Sequence, residues 1–408
     1  MLPSDPDFLV IGAGAAGIAA ARRFHALGRS CLVLEGGGRV GGRAVTSLAL
    51  GAPLDLGATW LHAAGRNPLT RWAGAEALDH DGVRERHLWL GDRWAGPAEM
   101  RAQGVAQEAF HTALAAARQG PDRPVAAVVP QGGPWDATVR HWLGTQIQAM
   151  EVERLSAHDQ YDNDLEGPNL LLPGGLGALV ARLAEGLPVR LRAPVTRIDW
   201  GGPGVAAEGP FGRVRAKGAV VTVSTGVLAA GGLRFDPPLP AGHREAIAGL
   251  PMALLTKFAF RCADRLGVAP FHTLRAAVTA GQPRPMSYIL WPFGRDHLFG
   301  FVGGSRAWEL AQAGEAETLA QAAAELRGMV GPAPLRDGLA TGWGTDPLFL
   351  GSYSQALPGA AGARAALAVP LGPLRFAGEA TARGLAGTLG GAWLEGERAA
   401  AALAQAAG

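Results

Sequence analysis

The sequence predicts an α/β protein, a parallel nucleotide-binding sheet interrupted by an inserted α+β domain of helices and mixed strands. Three observations carry this prediction. The chain opens with a strand, a glycine-rich turn, an alanine-rich helix and a second strand that ends on an acid. Strand periodicity then lapses over residues 72–171 and resumes after Pro173. The final segment again supplies a strand and a helix, so the C-terminus returns to the opening unit.

The elements follow in order. Phe8 to Ile11 is the first strand, a helix runs to about Leu27, and Cys31 to Leu34 is the second strand, closed by Glu35. Val105, Ala109, Phe110, Ala113, Leu114 and Ala117 recur at helical spacing. Val139, Trp142, Leu143, Ile147 and Met150 do the same behind Asp136, which is expected to cap that helix. The Pro/Gly stretch 121–134 between them has the make-up of a lid. Leu176, Leu179, Val180 and Leu183 form one helical face, and strands are expected over 189–200, 213–224, 256–261, 286–291 and 297–304. A helix over 315–330 and a last one from about residue 391 complete the chain. The expected division is a nucleotide domain from 1–71, 172–246 and 369–408, with 72–171 and 247–368 forming the substrate domain.

Composition narrows the classes. With 408 residues, 48% hydrophobic and 18% charged, the chain is a folded protein of two or three domains at roughly 100–200 residues each. Its 60 glycines and 29 prolines have no period, which excludes a collagen-like chain. A net charge of +2 gives no footprint for nucleic acid or an anionic membrane. No apolar run approaches the ~20 residues of a membrane span. Few residues precede the first strand, which leaves no room for a signal peptide and predicts a cytoplasmic protein. Cys31 and Cys262 have no ligand spacing, so neither a metal site nor a disulfide framework is expected.

The turn Gly12–Gly17 places Gly12, Gly14 and Gly17 in the G-x-G-x-x-G positions, with Ala16 beside them. Gly12 permits a tight turn, Gly14 lets backbone N–H groups approach a pyrophosphate, and Gly17 lets helix and strand pack closely. Glu35, at the next strand end, is placed to accept from ribose hydroxyls and to repel a 2′-phosphate. A second glycine cluster follows in EGGGRVGGR, with Gly42 offering another close backbone approach and Arg39 or Arg43 able to neutralise a pyrophosphate.

That nine-residue string resembles the second glycine motif of the flavin amine oxidase superfamily, which includes monoamine oxidases, polyamine oxidases and lysine-specific histone demethylases. Other segments share the resemblance across nearly the whole chain: DLGATWLH (Asp55 to His62), APVTRIDW, VVTVSTGVL with FDPPLP, and WGTDPLFLGSYS, FAGEAT and GTLGGAWLEGERAA. The resemblance implies a Rossmann-type FAD-binding domain. It places the backbone of Gly57, Ala58, Thr59 and Trp60 along the flavin ring, Val195 at the adenine and Glu379 near the ribityl or pyrophosphate. It also sets Thr388 and Leu389 beside the isoalloxazine. Ser352 stands where monoamine oxidases carry the cysteine that links to flavin, so FAD is expected to be held without a covalent bond.

The remaining chemistry concerns one lysine. Of 37 basic residues only Lys217 and Lys257 are lysines, and Lys257 lies inside an apolar run. An ammonium desolvated there has a lowered pKa and can exchange protons near neutrality, which arginine cannot do. The resemblance puts Lys257 where the family lysine holds a water against flavin N5. It also makes Trp343 and Tyr353 aromatic walls of the substrate cavity and brings His62 near the substrate amine. Trp343 would thus face both cofactor and substrate. Thr388 replaces a tyrosine found in many members, which widens the cavity. The acids Asp159, Asp162, Asp164 and Glu166 read as a solvated loop, with steering of a cationic amine as the alternative role.

The expected activity is oxidation of a small amine by FAD with O2 as acceptor, giving an imine that hydrolyses and H2O2, with a polyamine or other secondary amine favoured. Two rivals share the FAD motifs. One is a desaturase or amino-acid oxidase, which does not require Lys257. The other is a flavin-binding protein without catalysis.

Overall fold

The computed structural model describes residues 6–163 and 165–407. Five parallel strands form the central sheet, in the spatial order Leu374–Phe376, Gly218–Val221, Phe8–Ile11, Cys31–Leu34 and Val189–Arg190. The three middle strands are buried throughout, which is why they read as unbroken apolar runs rather than as alternating ones. On one face Phe8, Val10 and Val33 pack with Phe24, Ala399 and Leu403 from helices Ala15–Ala26 and Leu389–Ala406. On the other, Leu9, Ile11 and Leu32 share a core with Ala246 and Ile247. Ala363 and Leu367 belong to that same core, although their stretch of sequence is expected in the substrate domain.

Two long strand expectations resolve differently. Residues 189–200 break after Arg190, where Arg192 takes a positive φ of 51°, and resume as Arg197–Asp199 in another sheet. Residues 213–224 also divide, with Gly212–Ala216 in a four-stranded sheet and Gly218–Val221 in the parallel one. The hand-over is Lys217, whose ammonium pairs with Asp7 at 2.7 Å.

The second large sheet has six strands, ordered Leu335–Ala340, Leu255–Cys262, His297–Gly303, Ser287–Leu290, Thr273–Ala276 and Arg86–Trp89. Only the last pair is parallel. Side chains alternate between its faces. Phe258, Tyr288 and Leu298 pack with Leu310 and Leu326 from helices Ser305–Ala313 and Glu315–Val330. On the opposite face Lys257, Phe301, Ser287 and Arg275 are successive cross-strand partners in one row. Phe258 is set opposite Gly300, where a Cβ would lie 2.4 Å from the Phe258 ring.

The helical insertion departs from its sequence pattern in three ways. Helix Pro97–Ala117 forms, yet it buries Gln103, Phe110 and Leu114 while Val105 is exposed. The helix expected behind Asp136 is a short α-turn, Asp136–Arg140, which passes into a π-helical turn, His141–Gln146. Asp136 does not cap it; the carboxylate accepts from the Gly133 N–H at 2.9 Å. The stretch 121–134 is no free lid, because Val125 and Val129 are buried and Val125 N–H donates to Leu155 C=O at 2.9 Å.

Candidate active site

A cavity of about 750 Å³ runs from the glycine-rich turn to the six-stranded sheet. At its first end the backbone is shaped for close approach. Gly12 has φ +103°, open only to glycine without strain. A Cβ on Gly17 would sit 1.9 Å from the Gly12 carbonyl oxygen, whereas one on Gly14 would meet nothing nearer than Gly42 Cα at 4.0 Å. Gly14 and Gly42 therefore leave a slot at the N-terminus of helix Ala15–Ala26, whose first N–H groups lack intrahelical partners. Glu35 is buried, with its two oxygens accepting from Ala13 N–H at 2.6 Å and Gly37 N–H at 2.7 Å. Each oxygen keeps a second lone pair for a ribose hydroxyl.

The two arginines of the second glycine cluster separate. Arg39 donates to the carbonyls of Val40 and Gly42 at 3.2 and 2.8 Å and so braces its own loop, while Arg43 lines the cavity. Arg43 is fixed by Glu379 Oε1 at 3.1 Å and Ser352 C=O at 2.8 Å. Glu379 also accepts from Ser354 Oγ at 2.7 Å, and Ser354 in turn accepts from Arg364 at 3.0 Å. Arg364 closes this buried network on Asp159 with two bonds of 2.7 and 2.8 Å.

Gly14, Ala16, Glu35, Gly42, Arg43, the run Gly57–Trp60, Val195, Glu379, Thr388 and Leu389 all border this one cavity. The Thr388 hydroxyl is already engaged: it donates to Leu385 C=O at 2.6 Å and accepts from Gly391 N–H at 3.0 Å, capping helix Leu389–Ala406. What that helix offers the cavity is its N-terminal backbone N–H groups. These residues suit a dinucleotide cofactor. The glycine slot and helix N-terminus would take the pyrophosphate with Arg43, and Glu35 would take the ribose. The Leu389 end would face an electron-rich ring edge. Ser352 is occupied in hydrogen bonds with Leu255 N–H at 2.9 Å and Leu255 C=O at 3.0 Å.

At the second end the six-stranded sheet presents Lys257. Its Nζ is buried, donates to Gly57 C=O at 2.5 Å and to Thr59 Oγ1, and lies 5.2 Å from the Trp60 ring centre. Burial lowers its pKa to about 8, against the opposing pull of Asp55. Two of its three donors are thus committed and one remains for the cavity. Trp343 and Tyr353 both line the cavity with their polar atoms tied back, Nε1 to Leu56 C=O at 3.2 Å and Oη to Ile147 C=O at 2.7 Å. They present ring surface alone. Burial pushes the Tyr353 hydroxyl above its ordinary pKa.

His62 is held by a relay that its motif does not show. Asn169 Nδ2 donates to Asp81 Oδ2 at 2.5 Å, so Asn169 Oδ1 must be the group facing His62 Nδ1 at 2.7 Å. That oxygen can only accept, which places the proton on Nδ1 and leaves Nε2 as an acceptor. Burial lowers the His62 pKa, keeping the ring neutral. Asn169 and Asp81 lie far apart in sequence from His62, and no spacing connects the three. His80, also unforeseen, lines the cavity and accepts at Nδ1 from Trp60 Nε1 at 3.1 Å.

The acidic run does not line the chamber as a group. Asp159 belongs to the Arg364 network, Asp162 pairs with Arg118 at 2.7 Å, Glu166 is exposed, and Asp164 lies outside the described residues. Among the described residues Glu85, His87 and His272 bring possible metal-ligating atoms within 4.8 Å of one another, and there the two imidazoles already hydrogen-bond at 2.8 Å.

The fold and site together define an oxidoreductase with a dinucleotide cradle opening onto an aromatic chamber that holds a buried lysine. The family model for flavin containing amine oxidoreductase matches residues 131–404, and that for an NAD(P)-binding Rossmann-like domain matches residues 10–73. The chain belongs to the flavin-containing amine oxidoreductases, and its class is that of the FAD-dependent amine oxidases.

It is 30% identical to polyamine oxidase 1 of Oryza sativa subsp. japonica, over 99% of this chain and 98% of that protein. It is also 30% identical to lysine-specific histone demethylase 1 homolog 3 of the same organism, over 98% of this chain and 54% of that protein. It thus spans about half the length of that demethylase homologue. A solved putrescine oxidase, a double mutant redesigned in cofactor binding, shares the fold with a TM-score of 0.79 at 20% identity, covering 98% of this chain and 99% of that one. No helix among the described residues is long and apolar enough to cross a membrane.

Proposed function

We propose that this chain oxidises an amine at the carbon next to nitrogen, with a secondary amine favoured. FAD, held by the glycine slot, Glu35 and Arg43, would supply the acceptor for the hydride equivalent and the route of the electron pair to O2, giving H2O2. Loss of a hydride leaves the amine as an iminium, or as the neutral imine once a proton also departs, and water divides it into a carbonyl compound and a smaller amine. The observation that carries this reading is Lys257, a buried ammonium at the seam between the sheet and the Gly57–Trp60 run. With a pKa of about 8 it exchanges protons in the working range, where an arginine would stay charged.

His62 Nε2 is set as an acceptor for the N–H of a substrate amine, and a proton taken up there would leave the amine neutral, the form that reacts. Trp343, Tyr353 and Trp60 exclude water around it. The names of the polyamine oxidase relatives support a polyamine, and the widened cavity supports secondary amines generally. A polyamine would also carry ammonium groups to the far end of the chamber, so the residues there bear on the choice.

The test is anaerobic addition of amines to the FAD-loaded protein while the flavin absorbance is followed. Bleaching, with peroxide formed on admission of air, is the expected result. Bleaching by amines that survives Lys257→Met undiminished would remove the role given to Lys257. A flavin that dithionite bleaches and no amine does would overturn oxidation altogether.

A further inference from the structure

The chamber's far end, opposite Lys257 along the six-stranded sheet, has a chemistry of its own. Lys257, Phe301, Ser287 and Arg275 stand in one cross-strand row, which sets Arg275 about 14 Å from Lys257, backbone to backbone, at ~4.8 Å per strand. Thr273 lies on the same face two residues earlier and lines the chamber, and its partner on the next strand is Arg86. Arg84, Arg86 and His80 line the same region. Two guanidinium groups and an imidazole therefore line one end of a cavity whose other end is proposed to oxidise an amine, and a third guanidinium, Arg275, is buried beside them against Trp142.

Their donors are not used up. Among the described residues, His80 Nε2, Arg84 Nε, Thr273 Oγ1 and Arg275 Nε are all buried polar atoms without a protein partner. His80 is 1% exposed and Arg275 5%. Because His80 Nδ1 accepts from Trp60, its Nε2 carries a proton and is a donor. A buried donor left unpaired is destabilising, and more so when charged, so four in one corner call for an acceptor. The acid lining the corner is Asp81, and its oxygens are taken by Arg84 and Asn169, with Arg86 4.0 Å away. Asp79 acts on Arg84 and His80 from behind, its side chain accepting from Asp81 N–H. Arg275 stacks on Trp142 at 4.1 Å, and the charges that act on it, Arg86 and Arg84, both repel it.

We infer that this corner is an anion subsite and that the substrate is an amine whose chain ends in a carboxylate, several bonds from the reacting nitrogen. This rests on the amine-oxidase reading of the same chamber. An α-amino acid carries its carboxylate too close to nitrogen to span from Lys257 to Thr273, whose strands lie three apart in the sheet. A free polyamine would bring a second ammonium against the guanidinium groups of Arg84 and Arg86. An ω-amino acid or its N-alkyl derivative satisfies both ends, with its methylenes along Phe301 and Trp142.

The experiment uses the FAD-loaded protein and three amines of one length, ω-(methylamino)hexanoate, N-methylhexylamine and the ω-ammonium counterpart of the latter. The apparent Kd for anaerobic bleaching is expected to be at least about tenfold lower for the carboxylate-ended amine than for the methyl-ended one, with the ammonium-ended amine weakest. Hexanoate, which cannot be oxidised, is expected to perturb the flavin spectrum on binding and to compete with the carboxylate-ended amine. Arg86→Gln, at an exposed position, and the near-isosteric Thr273→Val are each expected to weaken hexanoate binding and to draw the carboxylate-to-methyl ratio towards one. Tightest binding by the ammonium-ended amine would overturn the inference and return the chamber to polyamines. A carboxylate preference untouched by both variants would overturn it as well. Should no amine bleach the flavin, the amine reading fails on its own, and hexanoate binding with its response to Arg86→Gln still decides the subsite.

Discussion

Lys257 Nζ lies 2.5 Å from the carbonyl oxygen of Gly57, two hundred positions away in sequence. One residue comes from the six-stranded sheet and the other from the loop that leads out of the dinucleotide cradle. Removing the ammonium by Lys257→Met is expected to leave FAD bound and to slow anaerobic reduction about a hundredfold or more. In the wild type the reduction rate should rise with pH through about 8, as the ammonium gives up its proton, and in the variant this limb should vanish. Stability carries the same signature. Between about 8 and the ordinary lysine value of 10.5 the unfolded chain binds the extra proton, so stability rises with pH across that window and Lys257→Met lacks the rise. Urea midpoints at several pH values measure it.

Asn169 controls the face that His62 shows the substrate. Asn169→Asp places a carboxylate against Nδ1, favours the imidazolium and so removes the lone pair on Nε2. The acid limb of kcat/KM is expected to move up by about one pH unit, with activity recovering above it. Asn169→Leu should instead lower kcat/KM at every pH, because the tautomer is no longer chosen.

Asp159 is a structural acid. Breaking its buried pair with Arg364 by Asp159→Ala is expected to cost about 3–5 kcal/mol in urea unfolding. The order of preference among amines should stay the same. Asp162→Ala, which removes an exposed pair with Arg118, should change stability by about 1 kcal/mol at most.

Gly14 and Gly17 separate cofactor binding from folding. Gly17→Ala drives a methyl group into the Gly12 carbonyl and is expected to destabilise the cofactor-free protein. Gly14→Ala has space in the protein itself and should fold with an unchanged melting temperature. It should lose FAD affinity by about tenfold or more, since the methyl group enters the slot beside Gly42. Flavin titration and thermal melts of cofactor-free protein distinguish the two.

Much of this arrangement was legible in the sequence because local rules and tertiary roles coincide there. The Gly12–Gly17 turn needs glycine for reasons within its own strand and helix, and Lys257 stood out against an arginine-rich background. Legibility failed where one stretch serves two sheets. Residues 213–224 have continuous strand character, and nothing local marks Lys217 as the point where they change partners. It failed again where polar atoms find distant partners. The Thr388 hydroxyl reads as a cavity group but caps a helix, and Asp159 reads as a loop charge but sits buried on Arg364. The Asp81–Asn169–His62 relay and the corner around Arg275 exist only through the pairing of strands and turns remote in sequence. Arg39 and Arg43 looked equivalent, and their different carbonyl and carboxylate partners divide them.

The pairing of Phe258 with Gly300 has a bearing on chemistry that takes place on the other side of the sheet. A slip of one residue between strands Leu255–Cys262 and His297–Gly303 would turn every side chain over, sending Lys257 into the helix-packed core. It would also drive the Phe258 ring against Phe299 or Phe301, for which there is no room. Gly300 thus acts as the notch of a key. An absent side chain on the dry face dictates which way up the strand is read, and the proton-exchanging group reaches the chamber because a phenyl ring fits a gap behind it.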